Sequence, residues 1–232
     1  MIFAGIVAGG TGTRMGADIP KQFLTLCGKS IIIHTIEQFL TVSRIDKIYL
    51  GIHPEWTEYC DDLLIKYKLP KDRISIVGGG IDRNSTVFNI IKQIISDFEI
   101  GTNDIILTHD GVRPFVTKDI IIKNIKTASQ YGACGTYIQA IDTIIQSSDG
   151  ITVSNVPERS QMFQAQTPQS FNIAKLIKAY ASLSESEKSM LTDTCSIFTA
   201  KGLPIRIVEG DSYNIKITTA KDLKLAEFIK SN

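Results

Sequence analysis

Two kinds of hydrophobic segment alternate along this chain. Short apolar runs rich in β-branched residues, at 2–8, 47–53, 74–77 and 105–109, have the pattern of strands covered on both faces. Between them the stretches 30–40, 55–67, 84–98 and 118–129 repeat their apolar residues every three or four positions, as amphipathic helices do. This order predicts βαβ crossovers and a Rossmann-like α/β fold, a mostly parallel sheet flanked by helices. In such a fold, ligands bind in the crevice beyond the carboxyl ends of the strands.

The pattern changes from about 132 to 167, where helical periodicity fades. Strand-like pieces at 133–140, 143–146 and 151–154, with the turn-like Ser147-Ser148-Asp149-Gly150 between the last two, predict a β-hairpin projecting from the main sheet. A projecting hairpin with an apolar face needs a partner. Further on, 173–182 and 193–200 read as helices, 205–208 as a strand and 221–229 as a final helix capped by Thr218 or Thr219. Ser184-Glu185-Ser186-Glu187-Lys188 reads as a solvated surface turn. With no repeat or linker to divide the chain, 1–232 is expected to be one domain with 133–165 as an arm.

Composition narrows the function. The chain has 232 residues, 43% of them apolar, enough for a sizeable core. A net charge of +1 offers no whole-molecule attraction for nucleic acid or an anionic membrane, so anion binding has to come from a local site. No apolar run is long enough to span a bilayer and no basic leader precedes the first strand, which makes the cytoplasm the expected location. Cys27, Cys60, Cys134 and Cys195 form no CxxC pair, and His34, His53 and His109 no ligand pattern. Any metal is therefore expected to be a hard cation arriving with phosphate oxygens.

Three turns fall where the crevice should lie. After the first strand comes Ala8-Gly9-Gly10-Thr11-Gly12-Thr13-Arg14-Met15, whose glycines let backbone N–H groups approach an anion while Arg14 adds a permanent cation. It matches neither GxxxxGK[ST] nor GxGxxG, and a glycine cluster alone is equally a plain tight turn; Pro20-Lys21-Gln22 downstream tips the balance. The other two turns are Gly78-Gly79-Gly80-Ile81-Asp82-Arg83 and His109-Asp110-Gly111-Val112-Arg113-Pro114. Gly28-Lys29-Ser30 imitates the end of a Walker loop, but Phe23 stands where its first glycine belongs, so a helix start is the better reading. Trp56 and Tyr59 read as core or interface, and His109 as a packed histidine.

Taken together, these motifs and Gln166-Thr167-Pro168-Gln169, Thr192-Asp193 and Asn214-Ile215-Lys216-Ile217-Thr218 resemble, in order and over nearly the whole chain, the cytidylyltransferases that act on polyol phosphates. That family includes methylerythritol-phosphate enzymes of isoprenoid synthesis and ribitol-5-phosphate enzymes of teichoic acid or capsule synthesis. Thr108-His109-Asp110-Gly111-Val112-Arg113-Pro114-Phe115, Asp82-Arg83-Asn84-Ser85-Thr86 and 163–169 are more similar to the ribitol branch, from which Gly111 departs where a serine is expected. The resemblance implies attack by the phosphate of ribitol 5-phosphate on the α-phosphorus of CTP, giving CDP-ribitol and pyrophosphate. The attacking phosphate is already ionised, so fixed cations, Mg²⁺ and alignment are what the protein must supply. A methylerythritol 4-phosphate enzyme and a non-catalytic nucleotide-binding regulator are the alternatives.

The resemblance also implies roles for individual residues. Arg14 and Lys21 match the two catalytic cations at the triphosphate. Val7, Ala8, Gly9 and Gly10 match one CTP-cradling segment; Gly80, Ile81, Asp82, Arg83, Asn84, Ser85, Thr86 and Val87 match a second, and Gly111 is a further nucleotide-binding candidate. Read alone, Arg83 is equally a helix-start partner of Asp82, and Thr86 an ordinary helical threonine whose hydroxyl is satisfied by its own turn. Asp110 is the expected carboxylate near Mg²⁺, with a helix or turn cap as the alternative. Arg113 is expected either to bind substrate or to hold the Asp110 loop. Arg159 and Lys216 match the residues that position the polyol phosphate, although alone they read as solvated side chains, Lys216 on a strand of alternating polarity at 214–218. Arg159 is implied to reach the neighbouring subunit's site in a homodimer. Thr143, Thr167 and Thr192 are further candidates for hydroxyl contacts to the polyol.

Overall fold

Strands and helices follow one another in the order the hydrophobic pattern predicts. The computed structural model describes residues 1–10 and 19–231; Arg14 lies outside the described residues. β1 (Ile2–Ala8) is followed by a small hairpin of β2 (Thr25–Leu26) and β3 (Lys29–Ser30), then α1 (Ile31–Leu40), β4 (Lys47–Ile52) and α2 (Thr57–Lys66). Next come β5 (Ile74–Gly78), α3 (Arg83–Asp97), β6 (Ile105–Asp110), α4 (Lys118–Tyr131) and β7 (Ala133–Gln139). After the arm, β8 (Phe163–Asn172), α5 (Ile173–Ala181), α6 (Glu185–Ser189), α7 (Cys195–Thr199), β9 (Arg206–Glu209) and α8 (Ala220–Ser231) complete the chain.

Among the described residues the main sheet has seven strands in the order β5-β4-β1-β6-β8-β7-β9. Only β8 runs against its neighbours. Alternate side chains go to opposite faces, and both faces are apolar. Ala4 and Ile6 of β1, Ile48 and Leu50 of β4 and Leu107 of β6 pack with Ile32, Phe39, Leu64 and Ile121 on the side of α1, α2 and α4. Phe3, Tyr49 and Ile106 from the same strands pack with Val87, Ile90, Leu176 and Phe198 on the side of α3, α5 and α7. Burial on both faces is why these strands read as continuous apolar runs.

The parallel register brings the strand ends together: Val7 lies beside Asp110 and Ala8 beside Ile52. The loops after β1, β5 and β6 therefore share one rim. Asp82 starts α3 there with a capping box, its carboxylate accepting from Ser85 N at 2.6 Å while Ser85 Oγ accepts from Asp82 N at 2.9 Å.

Four local expectations need correction. Residues 133–139 form β7 inside the sheet, so the projecting part of the expected arm is 140–162. The stretches 143–146 and 151–154 are not strands; a single bridge joins Gln146 to Asn155, and the tip is held by Asp149 Oδ1 accepting from the N–H groups of Ile151 and Thr152. Residues 185–189 form a short helix because Ser184 and Glu187 build a capping box. The segment around Lys216 is an irregular loop rather than a strand, with Ile217 buried beside Leu26, Ile31 and Val112. Thr219 caps α8 as expected, accepting from Asp222 N at 3.3 Å.

Candidate active site

An open cleft of about 220 Å³ lies at the carboxyl ends of the parallel strands, the place where folds of this kind bind small molecules. It is lined by Val7, Ala8, Gly9 and Gly10 at the end of β1 and by Gly80, Ile81, Asp82, Arg83 and Thr86 from the turn between β5 and α3. Lys21 and Gln22 close one side, and Asp110, Val112 and Lys216 form the rest.

Asp110 is the electrostatic centre. Arg83 donates from Nε to its Oδ1 at 3.0 Å, Arg113 from Nε to Oδ2 at 3.3 Å, and Lys216 Nζ lies 3.0 Å from Oδ2. Burial works against this carboxylate, but Arg83, Lys216 and Arg113 outweigh it and hold its pKa well below the usual carboxylate range. Three cations surround this one anion, and two of them, Arg83 and Lys216, line the cleft together with Lys21 and Asp82. Among the described residues Arg83 forms no bond with Asp82, which is occupied with capping α3; its Nη1 donates to Thr194 Oγ1 at 2.7 Å, and its buried Nη2 has no hydrogen-bond partner among them.

A chain of hydrogen bonds behind Asp110 fixes the loop. Asp110 N donates to Thr167 Oγ1 at 3.1 Å, and Thr167 Oγ1 lies 2.9 Å from His109 Nδ1. Nε2 of His109 is 3.1 Å from the Arg113 carbonyl, so the consistent assignment has Nε2 carrying the proton and Nδ1 accepting from Thr167. Burial pushes the His109 pKa down to about 3, and the ring is neutral and enclosed. It is a packing and positioning group, as its sequence context indicated. Arg113 completes the frame, its Nη1 donating to the Asn214 carbonyl at 2.8 Å while Asn214 Nδ2 donates to Gln166 Oε1 and the Thr167 carbonyl.

The turn after β5 is held as tightly. Thr86 Oγ1 accepts from Gly80 N at 2.9 Å and donates to the Asp82 carbonyl at 2.8 Å, satisfying its hydroxyl within the turn it supports. A side chain at Gly80 would collide with Ser85, so glycine is required there by the α3 start itself. At Gly111 a Cβ would lie 2.9 Å from that of Ala8. Gly111 is buried, its N–H donating to the Val7 carbonyl at 2.9 Å, and it bears on the cleft by letting β6 approach the β1 loop.

The sequence-derived candidates thus divide. Lys21, Val7 to Gly10, Gly80 to Arg83, Thr86, Asp110 and Lys216 line the cleft, while Arg113 and Thr167 stand behind Asp110. Asn84, Ser85 and Val87 belong to the α3 start, with Asn84 and Val87 buried. Thr192 is exposed, and it is Thr194, two residues on, that meets Arg83. Thr143 and Arg159 lie on the exposed arm, Arg159 Nη1 donating to the Ile141 carbonyl at 3.1 Å, outside this subunit's own cleft. Thr194, Asn214 and Gln22 were missed as site residues. Asn214 and Gln22 sit inside quoted motifs but carry neutral amides, whose role depends on which backbone groups they meet.

The donor set does not fit a resident Mg²⁺. Both oxygens of Asp110 face guanidinium or ammonium groups within 3.3 Å, and a dication would have to displace at least one of them. Among the described residues no group of three or more His, Cys, Asp or Glu side chains could hold a metal. Among them too, no helix is long and apolar enough to cross a membrane.

A wound parallel sheet with a glycine loop, a capped helix start and a cationic cleft at its strand ends defines a nucleotidyltransferase. Residues 2–232 match the family described as IspD, 2-C-methyl-D-erythritol 4-phosphate cytidylyltransferase, and the chain belongs to that family of CTP-dependent cytidylyltransferases. It is similar to the 4-diphosphocytidyl-2C-methyl-D-erythritol synthase of Anaerococcus prevotii, with 27% identity and a TM-score of 0.83 over 100% of this chain and 96% of that one. The 2-C-methyl-D-erythritol 4-phosphate cytidylyltransferase of Francisella tularensis is 31% identical, with a TM-score of 0.81 over 98% of each chain. That of Thermus thermophilus is 25% identical, with a TM-score of 0.76 over the whole of both.

Proposed function

We propose that this enzyme transfers the cytidylyl group of CTP to ribitol 5-phosphate. A phosphate oxygen of the polyol ester attacks the α-phosphorus in line; the new O–P bond forms as the bond to the bridging oxygen breaks, and pyrophosphate leaves with the electron pair. The observation that carries this reading is the cluster of positive charge around Asp110, with Arg83, Arg113 and Lys216 on one carboxylate and Lys21 lining the same cleft. Such fixed charges lower the repulsion between two anionic esters without reorganising during the reaction. A general base is dispensable, because the attacking oxygen is already ionised. On this reading the triphosphate lies along the glycine loop against Lys21 and Arg14, and the fully exposed Ile81 and the Gly80 backbone receive the base. Mg²⁺ comes in as part of the nucleotide substrate.

The choice of ribitol rests on residues 82–86, 108–115 and 163–169, which resemble the ribitol branch. The second reading is methylerythritol 4-phosphate, favoured by the family matched over 2–232 and by the relatives of Anaerococcus and Francisella. Both readings include a homodimer. Ile141, Ile145, Ile151, Val153 and Val156 are all more than half exposed on the arm, an apolar surface that a second copy would cover while bringing Arg159 and Thr143 to the neighbouring site.

Pyrophosphate release with CTP, UTP or ATP against ribitol 5-phosphate, ribulose 5-phosphate and methylerythritol 4-phosphate tests the proposal. The expected result is turnover with CTP and ribitol 5-phosphate at a kcat/KM at least tenfold above the other pairs. Preference for methylerythritol 4-phosphate would overturn the choice of polyol, and no release with any pair would favour a nucleotide-binding regulator.

A further inference from the structure

Gln22 lies between the glycine loop and Lys21 and is 1% exposed. Its Nε2 donates to the Ala8 carbonyl at 2.7 Å and to the Gly10 carbonyl at 3.0 Å, so a single amide holds two carbonyls of the loop that walls the cleft. A planar peptide links the direction of its N–H to that of its carbonyl, so the bond to the Ala8 carbonyl also restrains the Gly9 N–H. The amide NH₂ carries two protons, one for each carbonyl.

The same residue belongs to the turn that carries Lys21. Residues Lys21–Phe23 form one turn of 3-10 helix after Pro20, with Gln22 and Phe23 buried. Phe23 N donates to the Pro20 carbonyl at 2.9 Å, and the Phe23 ring stacks on Trp56 with centroids 5.6 Å apart. Both neighbours of Gln22 are therefore restrained: Phe23 is packed into an aromatic cluster with Trp56 and Tyr59, and Lys21 faces the cleft. Because Gln22 bonds the loop from inside this turn, loop and lysine cannot shift independently.

We infer that Gln22 is the positioning residue that couples the glycine loop to Lys21, setting their spacing for a triphosphate. This rests on the reading of the cleft as a CTP site and goes beyond it by naming what holds the two halves of that site in register. It acts through the backbone of Ala8 and Gly10 and through Lys21, and touches no reacting atom. Loss of Gln22 should therefore weaken the handling of CTP and leave the polyol phosphate site, on the Asp110 side, unaffected.

Gln22→Met, similar in length and without a donor, tests this beside Lys21→Ala and the double variant, with kcat and both KM values measured. Two lost hydrogen bonds predict a 10- to 100-fold fall in kcat/KM for CTP, with KM for the polyol phosphate within about twofold of normal. The double variant should be no more than about threefold worse than Lys21→Ala alone, since residues acting as one unit are not additive. Wild-type kinetics in Gln22→Met, equal losses toward both substrates, or multiplicative losses in the double variant would overturn the inference. Should Gln22→Met fail to fold, the unmodified protein supplies the test: the Gln22 side-chain NH₂ protons should exchange slowly and shift on adding CTP but not the polyol phosphate, and fast exchange or no shift would refute it. If the unmodified enzyme turned over no CTP, the nucleotide reading itself would fail; normal turnover with unaltered Gln22 variants would remove this inference alone.

Discussion

Arg83 Nε donates to Asp110 Oδ1 at 3.0 Å, joining the start of α3 to the end of β6 across the mouth of the sheet. The pair ties the nucleotide-side turn to the carboxylate that also holds Arg113 and Lys216. Replacing Asp110 by Asn keeps the shape and removes the negative charge that these three cations share. We expect Asp110→Asn to lose about 3 kcal/mol of stability and at least 100-fold in turnover, because uncompensated charge at a buried site is costly. Urea unfolding and steady-state kinetics on the same preparation check both; an unaltered unfolding midpoint would contradict the ion-pair account.

Lys21 tests the electrostatic part separately, since it lines the cleft outside the Asp110 cluster of ion pairs. Lys21→Ala is expected to lower kcat by roughly 100- to 1000-fold, the loss typical of one preorganised group facing transition-state charge. The thermal midpoint should stay within a few degrees of normal. Near-normal turnover would remove Lys21 from the catalytic machinery.

His109 predicts a pH dependence of stability. Burial lowers its pKa to about 3, against an unfolded value near 6.5, so between these limits the unfolded chain binds a proton that the folded protein does not. Stability is therefore lost as pH falls below about 6.5, by up to about 1.4 kcal/mol per unit from this residue. Asp110, also lowered, adds a loss of the same sign only below the ordinary carboxylate range. In a His109→Gln variant the slope between pH 6.5 and 5 should flatten, measured by urea unfolding across that window; an undiminished slope would assign it elsewhere.

Gly111 lies where its added Cβ would be 2.9 Å from Ala8 Cβ. Gly111→Ser is expected to cost about 1–3 kcal/mol through overpacking and to raise KM for CTP by moving the β1 loop. A serine variant with unchanged KM and stability would mean that this loop can give way freely.

The arm predicts the assembly state. Ile151 and Val153 are 89% and 57% exposed, so Ile151→Glu with Val153→Glu should leave the subunit folded while preventing association through this face. Sedimentation should then report a monomer where the unmodified protein is a dimer. A monomeric unmodified protein, or a variant that remains dimeric, would rule out the arm as the contact.

Much of the architecture was legible in the chain because a strand buried on both faces leaves a continuous apolar run, and a helix on the sheet leaves a period of three to four. β1, β4, β5 and β6 and the helices between them carry those signals, and the order of their loops already pointed to one crevice. β8 carried no such signal. Its Gln164, Gln166, Thr167, Gln169 and Ser170 are polar because several of them bond to site loops, as Gln166 does to Asn214 and Thr167 to His109.

From the order of residues alone followed the fold class, the glycine loop and the set of charged groups at the strand ends, since those depend on local pattern and on residue chemistry. Only the tertiary structure decided that Arg83 turns from Asp82 to Asp110, that Thr194 rather than Thr192 meets it, and that Arg113 and Thr167 frame the carboxylate from behind. The reason is geometric. A side chain's partner is whichever group the packed sheet brings within about 3 Å, and neighbours of that kind come from segments distant in the chain, whose approach no local pattern records.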